Sequence, residues 1–243
     1  MLVTWNVRGF NQEVKHKEMR LFLRNKVNMI AICEHRVRED RVSSIINKIM
    51  PSWEWYTNSA NNVRGSIWVV WNPGVINFTT VENFAQHIHG QVEMQGSKMK
   101  FQFTAVYDLH SITARIPLWT TIHQLSTHIP DPWLIMGDFN SILTTEDRPI
   151  GSQVQSSETR DFQECITDCN LTELATVGRK FTWTNGHVFS RIDRAPVNAE
   201  WVLHMPIVQV SVIDPLFSNH SLLRINVEEH RDAKKRPFNF STV

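Results

Sequence analysis

The sequence predicts an α/β (α+β) sandwich of four layers: two β-sheets packed face to face, with helices covering the outside. Three observations carry this expectation. Strand-like and helix-like stretches alternate along the whole chain with no division between them, which favours layered packing around shared sheets. The length of 243 residues, 42% of them hydrophobic, suffices for one large core, and domains of this class commonly reach roughly 200–250 residues. No internal repeat or low-complexity linker interrupts the pattern.

The elements follow in order. Leu2 to Asn6 is a short apolar strand ending in polar residues. Glu13 to Asn25 reads as a helix, with Met19, Phe22 and Leu23 on one face. Met29 to Cys33 is a buried-type strand that stops at Glu34, and Arg41 to Met50 is a helix ended by Pro51. Gly65 to Trp71 is an apolar strand closed by the turn Asn72-Pro73-Gly74. Lys100 to Tyr107 alternates, with Phe101, Phe103 and Ala105 on one side and Gln102 and Thr104 on the other. Ala114 to Ile129 is helical with a stripe of Ile116, Trp119, Ile122 and Leu125. Trp133 to Met136 is a strand leading into Gly137-Asp138-Phe139-Asn140, and Glu158 to Cys169 is a helix that buries Phe162, Cys165, Ile166 and Cys169. Phe181 to Thr184, Arg191 to Ala195, Ile207 to Val212 and Leu222 to Val227 are late strands. Residues 1–227 form the expected domain, and 228–243 a loose polar, basic tail.

Composition removes several classes of function. Twenty per cent charged residues with nine tryptophans exclude disorder. A net charge of +1 excludes a nucleic-acid binder that works by bulk charge, but not one with a local basic face. Basic clusters at Lys15 to Lys26 and Arg231 to Arg236 are sufficiently explained as a solvated helix face and a terminus. Three cysteines, Cys33, Cys165 and Cys169, have no disulfide-framework or zinc-finger spacing and read as core packing in a reducing compartment. No signal pattern and no apolar run near ~20 residues is present, so the expectation is a soluble intracellular protein, in the nucleus or cytoplasm, with no membrane partner.

The chemistry lies where strands end. Asn6, Glu34, Asp138 with Asn140, and Asp193 each follow or close a buried-type strand, and Asn219-His220 precedes the last one. Strand ends along one sheet edge converge, and such a pocket offers oxygen ligands to a hard cation, one imidazole and several amide donors. Singly, each residue has a simpler use. Asn and Asp are ordinary turn formers, Glu34 suits a surface ion pair, Asp193 stands between Arg191 and Arg194, and His220 fits a satisfied core histidine. The ordered set is what distinguishes them.

That set reads Thr4-Trp5-Asn6-Val7-Arg8-Gly9, Cys33-Glu34-His35-Arg36, Val106-Tyr107, Gly137-Asp138-Phe139-Asn140, Arg191-Ile192-Asp193-Arg194 and Ser218-Asn219-His220. It resembles the endonuclease/exonuclease/phosphatase superfamily, from residue 2 to about residue 227. Pro132-Trp133-Leu134 and Lys180-Phe181-Thr182-Trp183-Thr184-Asn185-Gly186 add a resemblance to the endonuclease domain of plant LINE-type non-LTR retrotransposons. The resemblance implies mostly antiparallel sheets and a Mg²⁺-dependent DNA endonuclease, with Mn²⁺ as a substitute ion, that leaves a 3′-hydroxyl and a 5′-phosphate. A reverse transcriptase normally follows in the parent polyprotein and is the implied partner, beside DNA; this chain stops before one.

The resemblance also implies roles. Glu34 is the main metal ligand, helped by Asn6, with Asn219 as a further oxygen. Asp138 orients or deprotonates the attacking water, and Asn140 holds it. His220, oriented by Asp193, contacts the scissile phosphate. Tyr107 donates to a phosphate oxygen, and Thr182 lies near the same phosphate. Arg8, Arg115, Arg148 and Trp183 are the expected substrate contacts. Three positions depart from the family pattern: Asn219 replaces an Asp, His110 stands where an Asn is usual, and His35 where a Thr is usual. Loss of the charge at 219 is expected to weaken metal binding. Two other readings share the fold: a catalytically dead DNA-binding relic, and a phosphoesterase acting on a non-DNA substrate.

Overall fold

A strand covered on both faces is apolar at every position, whereas one covered on a single face alternates. Met29, Ala31 and Cys33 point one way and Ile30 and Ile32 the other, and all five are buried. The first set lies in a core between two sheets, the second in a core beneath helices. The computed structural model describes residues 1–59, 67–205 and 208–227. The expected basic tail 228–243, the Arg231 to Arg236 cluster within it, and the expected strand starts at Gly65 and Ile207 lie outside the described residues.

The strands in chain order are β1 (Leu2–Asn6), β2 (Met29–Cys33), β3 (Glu54–Thr57), β4 (Trp68–Trp71), β5 (Ile76–Phe84), β6 (His87–Met94), β7 (Lys100–Tyr107) and β8 (Trp133–Asp138). Then come β9 (Thr172–Glu173), β10 (Thr176–Gly178), β11 (Trp183–Thr184), β12 (Phe189–Ser190), β13 (Asp193–Arg194), β14 (Pro196–Val197), β15 (Val210–Ile213) and β16 (Leu222–Ile225). The helices are α1 (Glu13–Leu23), α2 (Glu39–Ile49), α3 (Ile112–Ser126), α4 (Ser156–Asp168) and α5 (Ala199–His204).

Two mixed sheets result. One runs β10-β15-β16-β1-β2-β4-β3; the other runs β5-β6-β7-β8-β14-β9, with β13 also on β8. Each has a parallel pair near its centre, β1 with β2 and β7 with β8, among mainly antiparallel neighbours. Three cores make the four layers. Leu2, Val69, Phe103, Leu134 and Trp201 belong to the one between the sheets. Trp5, Phe22, Ile30, Ile46 and Trp68 belong to the one under α1 and α2. Trp119, Trp133, Phe139 and Phe162 fill the third, under α3 and α4. The expected sandwich is therefore present.

In α3 the buried stripe is Leu118, Trp119 and Ile122, and Ile116 of the expected stripe is exposed. The helix starts two residues earlier than expected, where Ser111 accepts from the Ala114 NH at 3.3 Å. Strand β3, the hairpin of β5 and β6, the small strands β9, β10, β12 and β14, and the short helix α5 were not expected. Strands of two or three residues have no periodicity to read, and β5 carries a bulge between Thr80 and Glu82 that shifts its alternation.

Candidate active site

Because β1 and β2 are parallel and in register, Asn6 pairs with Cys33, and Glu34 comes next in the chain. Parallel pairing of β7 with β8 likewise sets Tyr107 beside Asp138, and antiparallel β13 sets Asp193 opposite Asp138. The polar ends of both sheets thus face one another. The chain leaves three of these strands through left-handed residues: Arg8 (φ +46°), Glu34 (φ +51°) and Asn140 (φ +45°). Such strain costs on the order of 1–3 kcal/mol per residue and is retained where it aims a side chain.

Asn6 links the sheets. Its Nδ2 donates to Glu34 Oε2 at 3.0 Å and to Asp138 Oδ2 at 2.8 Å, while its Oδ1 accepts from the Arg8 NH at 2.9 Å. Glu34 is buried, and its other oxygen is paired with Arg36. The Asn140 NH donates to Asp138 Oδ1 at 2.9 Å, and its side-chain amide donates to the Asp108 carbonyl at 2.7 Å. His220 Nδ1 lies 3.0 and 3.2 Å from the two Asp193 oxygens and 3.8 Å from Asp138. Arg191 and Arg194, the simpler partners for Asp193, instead pair with Glu173, and Arg194 also with Asp147.

Charge is held against burial here. Burial alone lowers the His220 pKa, but Asp193 and Asp138 outweigh it and bring it up to about 9, so the ring is an imidazolium at neutral pH. Burial, with Asp193 beside it, pushes the Asp138 carboxyl up to about 7. Tyr107 is buried; burial, with Glu34 and Asp138 adding to it, pushes its phenol well above the usual range, so it remains a donor.

The Ser218-Asn219-His220 segment is held from two sides. Trp5 Nε1 donates to the His220 carbonyl at 2.9 Å, and the Ser218 hydroxyl donates to the Asn6 carbonyl at 2.7 Å. On the hairpin side, the Thr184 NH donates to the Asn219 carbonyl at 3.1 Å, and the Ser221 NH to the Thr182 carbonyl at 2.6 Å. Thr182 itself is buried, and its hydroxyl oxygen accepts from the Ile192 and Asp193 NH groups at 3.1 and 3.0 Å. It fixes the backbone that presents Asp193.

A cleft of about 320 Å³ opens above these groups, and Glu34, Asn140 and His220 line it with Arg8, Arg115, Arg148, His110 and Trp183. The three expected arginines are therefore together, but two are in use. Arg115 donates to the Leu109 and His110 carbonyls at 2.9 and 2.8 Å and lies 3.8 Å from Asp108. Arg148 is paired with Glu158 at 2.8 Å. Asn219, expected as an oxygen ligand, satisfies its neighbours in the amide orientation whose oxygen accepts from Arg8 Nη1 at 2.5 Å and Trp183 Nε1 at 2.9 Å.

Two groups at the site were not anticipated. Arg36 neutralises one oxygen of Glu34; the charge alternation Glu34-His35-Arg36 is its one signal in the sequence. Asp108 is fully buried, with Oδ2 lacking a hydrogen-bond partner among the described residues, and burial raises it to about 8. Nothing in the pattern around Tyr107 marks it.

No protein-family model matches the chain, and no curated protein matches it in sequence. Solved structures do match. The 3′ phosphatase NExo from Neisseria, bound to product DNA hairpin, superposes with a TM-score of 0.68 at 16% identity over 93% of this chain and 98% of that one. The endonuclease domain of TRAS1, a telomere-specific non-LTR retrotransposon, gives 0.68 at 11% identity over 93% and 96%. An endonuclease/exonuclease/phosphatase family protein from Bacteroides thetaiotaomicron gives 0.63 at 12% over 92% and 95%. At these identities the likeness is one of fold.

Proposed function

We propose that this chain, which has the endonuclease/exonuclease/phosphatase fold, is a Mg²⁺-dependent DNA endonuclease, with residues 1–227 working as one catalytic domain. One observation carries the reading: Asn6, Glu34, Asp138, Asp193 and His220, from separate strand ends of two sheets, form one connected group at the base of a cleft. That the NExo structure is of a 3′ phosphatase with product DNA supports a phosphoester in DNA as the substrate.

The residues fit a divalent ion. Three buried carboxylates, Glu34, Asp138 and Asp193, meet here against Arg36 and His220, and a hard cation suits such an oxygen-rich set. Asp138, Asp193 and His220 bring ligand atoms within 4.8 Å of one another. His220 and Asp193 already satisfy each other, and the Asn6 oxygen is taken by the Arg8 NH, so we assign the ion to Glu34, which the Asn6 amide NH₂ holds in place. When bound, the ion offsets negative charge that develops on the phosphate oxygens.

The chain's own groups supply the rest. Asp138, held by Asn6 and the Asn140 NH, accepts the proton of the attacking water. His220 gives Nδ1–H to Asp193, leaving Nε2 for a phosphate oxygen. Tyr107 remains protonated and donates a second hydrogen bond. Water attacks phosphorus, the bond to O3′ breaks, and the leaving oxygen takes up a proton from solvent, leaving a 3′-hydroxyl and a 5′-phosphate. In a retrotransposon setting, as the resemblance to plant elements implies, that hydroxyl on nuclear DNA primes a reverse transcriptase.

The test is nicking of supercoiled plasmid in Mg²⁺ or Mn²⁺ beside an Asp138→Ala control. Relaxed circles whose nicks a polymerase extends and a ligase seals are the expected result. Relaxation no greater than in the control overturns the proposal.

A further inference from the structure

We infer that Asn219 is a positioning residue, which holds Arg8 and Trp183 in the cleft wall so that Arg8 grips a DNA phosphate; this rests on the phosphodiesterase reading above. Three arginines line the cleft, and they are not equivalent. The cationic ends of Arg115 and Arg148 are taken up by backbone carbonyls, Asp108 and Glu158. Arg8 is exposed and forms no ion pair among the described residues, so its charge is available.

Its position is nevertheless fixed. The backbone at Arg8 is left-handed, its NH is held by Asn6 Oδ1, and Lys15 Nζ donates to the carbonyls of Val7 and Gly9 on either side, at 2.8 and 2.9 Å. The guanidinium is then held by the Asn219 oxygen, which also accepts from the Trp183 indole. One neutral amide therefore orders a cation and an aromatic wall at once.

The neutrality is the point. A carboxylate at position 219 would pair with Arg8 and cancel the charge that a phosphate needs, since an Arg–carboxylate pair uses the same donors. An amide holds the guanidinium by hydrogen bonding and leaves its charge intact. The oxygen of Asn219 is spent on this brace, as that of Asn6 is on the Arg8 NH, which leaves the ion to Glu34.

The experiment uses the whole chain. Binding of a fluorescein-labelled duplex is followed by anisotropy in EDTA across a salt series, and Mg²⁺ is titrated in the nicking assay. Arg8→Ala is expected to weaken binding about three- to ten-fold and to reduce the salt slope by about 1. Asn219→Ala weakens binding in the same sense, raises KM more than it lowers kcat, and leaves the Mg²⁺ half-saturation unchanged. The double variant binds no more weakly than Arg8→Ala alone. Asn219→Asp lowers the salt slope as Arg8→Ala does. Additive losses, tighter binding by Asn219→Asp, or a several-fold higher Mg²⁺ requirement in Asn219→Ala each overturn the brace. Because the Arg8 side chain is exposed, its variant keeps the test open if changes at 219 impair folding. Wild-type protein that shows these binding effects but never nicks overturns the endonuclease reading and supports the brace. Wild-type protein with no salt-dependent affinity for DNA overturns the brace itself.

Discussion

A buried histidine ordinarily loses its proton, yet His220 keeps one because Asp193 and Asp138 stand against it. Asp193→Asn removes the nearer charge. The His220 pKa should then fall from about 9 toward the ordinary value of ~6.5, read by NMR titration of the ring. Nicking should fall by roughly 10²–10⁴ if the imidazolium serves the phosphate. A second prediction concerns Gly137, whose φ of +153° sits against β7: a Cβ there would lie 2.0 Å from the Val106 carbonyl oxygen. Gly137→Ala must push β8 from β7 and carry Asp138 with it. Urea unfolding should show a loss of about 2–4 kcal/mol, and a loss under 1 kcal/mol would mean that the strands adjust freely. Neither partnership is written beside its residue. Asp193 has two arginines for neighbours in sequence and uses neither, because β13 aims its side chain at His220.

At the scale of elements, function depends on how strand ends are held. β11 is only two residues long, but the Thr182 hydroxyl just before it accepts from two NH groups, one buried and one part-buried, in the segment that presents Asp193. Thr182→Val keeps the shape and orphans both donors. We expect a stability loss of about 2–4 kcal/mol together with reduced nicking, and Thr182→Ser should restore most of both. If Val is tolerated and nicking alone falls, the hydroxyl meets substrate instead. The elements that could be read from sequence were those with a period to read. β1, β2 and β7 have the bounds expected of them, because their residues are continuously apolar or strictly alternating. Helices α1, α2 and α4 differed at their ends by about two residues, where capping rather than burial decides. The short strands beyond β8 exist through partners distant in the chain: β14 pairs with β8 and β9 at single positions or two.

The whole molecule buries more ionisable side chains than the site needs, and this shapes its response to acid. On the helix-covered face of the second sheet, the Thr104 hydroxyl accepts from Trp133 Nε1 and lies 2.8 Å from His89 Nδ1. Burial, with His87 nearby, lowers the His89 pKa to about 4. The unfolded chain, with a histidine near ~6.5, then binds the extra proton first. His89 therefore contributes stability that is complete above pH ~6.5 and is lost as pH falls toward 4. Between pH 7 and pH 5, the wild type should lose about 2 kcal/mol more than His89→Gln in urea unfolding. Equal losses would show that His89 is already protonated or solvated in the fold.

The sequence by itself determined which polar side chains close buried strands and their order along the chain; hydrophobic period and residue type are local properties and survive in a linear text. It also contained enough apolar length for two sheets with covered outer faces. Only the tertiary structure decided which polar groups are occupied and which remain open. Asn6 meets Asp138 from 132 positions away, and Arg148 and Arg115 stand against carboxylates while Arg8, among the described residues, has only the neutral Asn219 amide. Electrostatic and hydrogen-bond pairing acts through space at a few ångströms, so it is settled when the sheets come together.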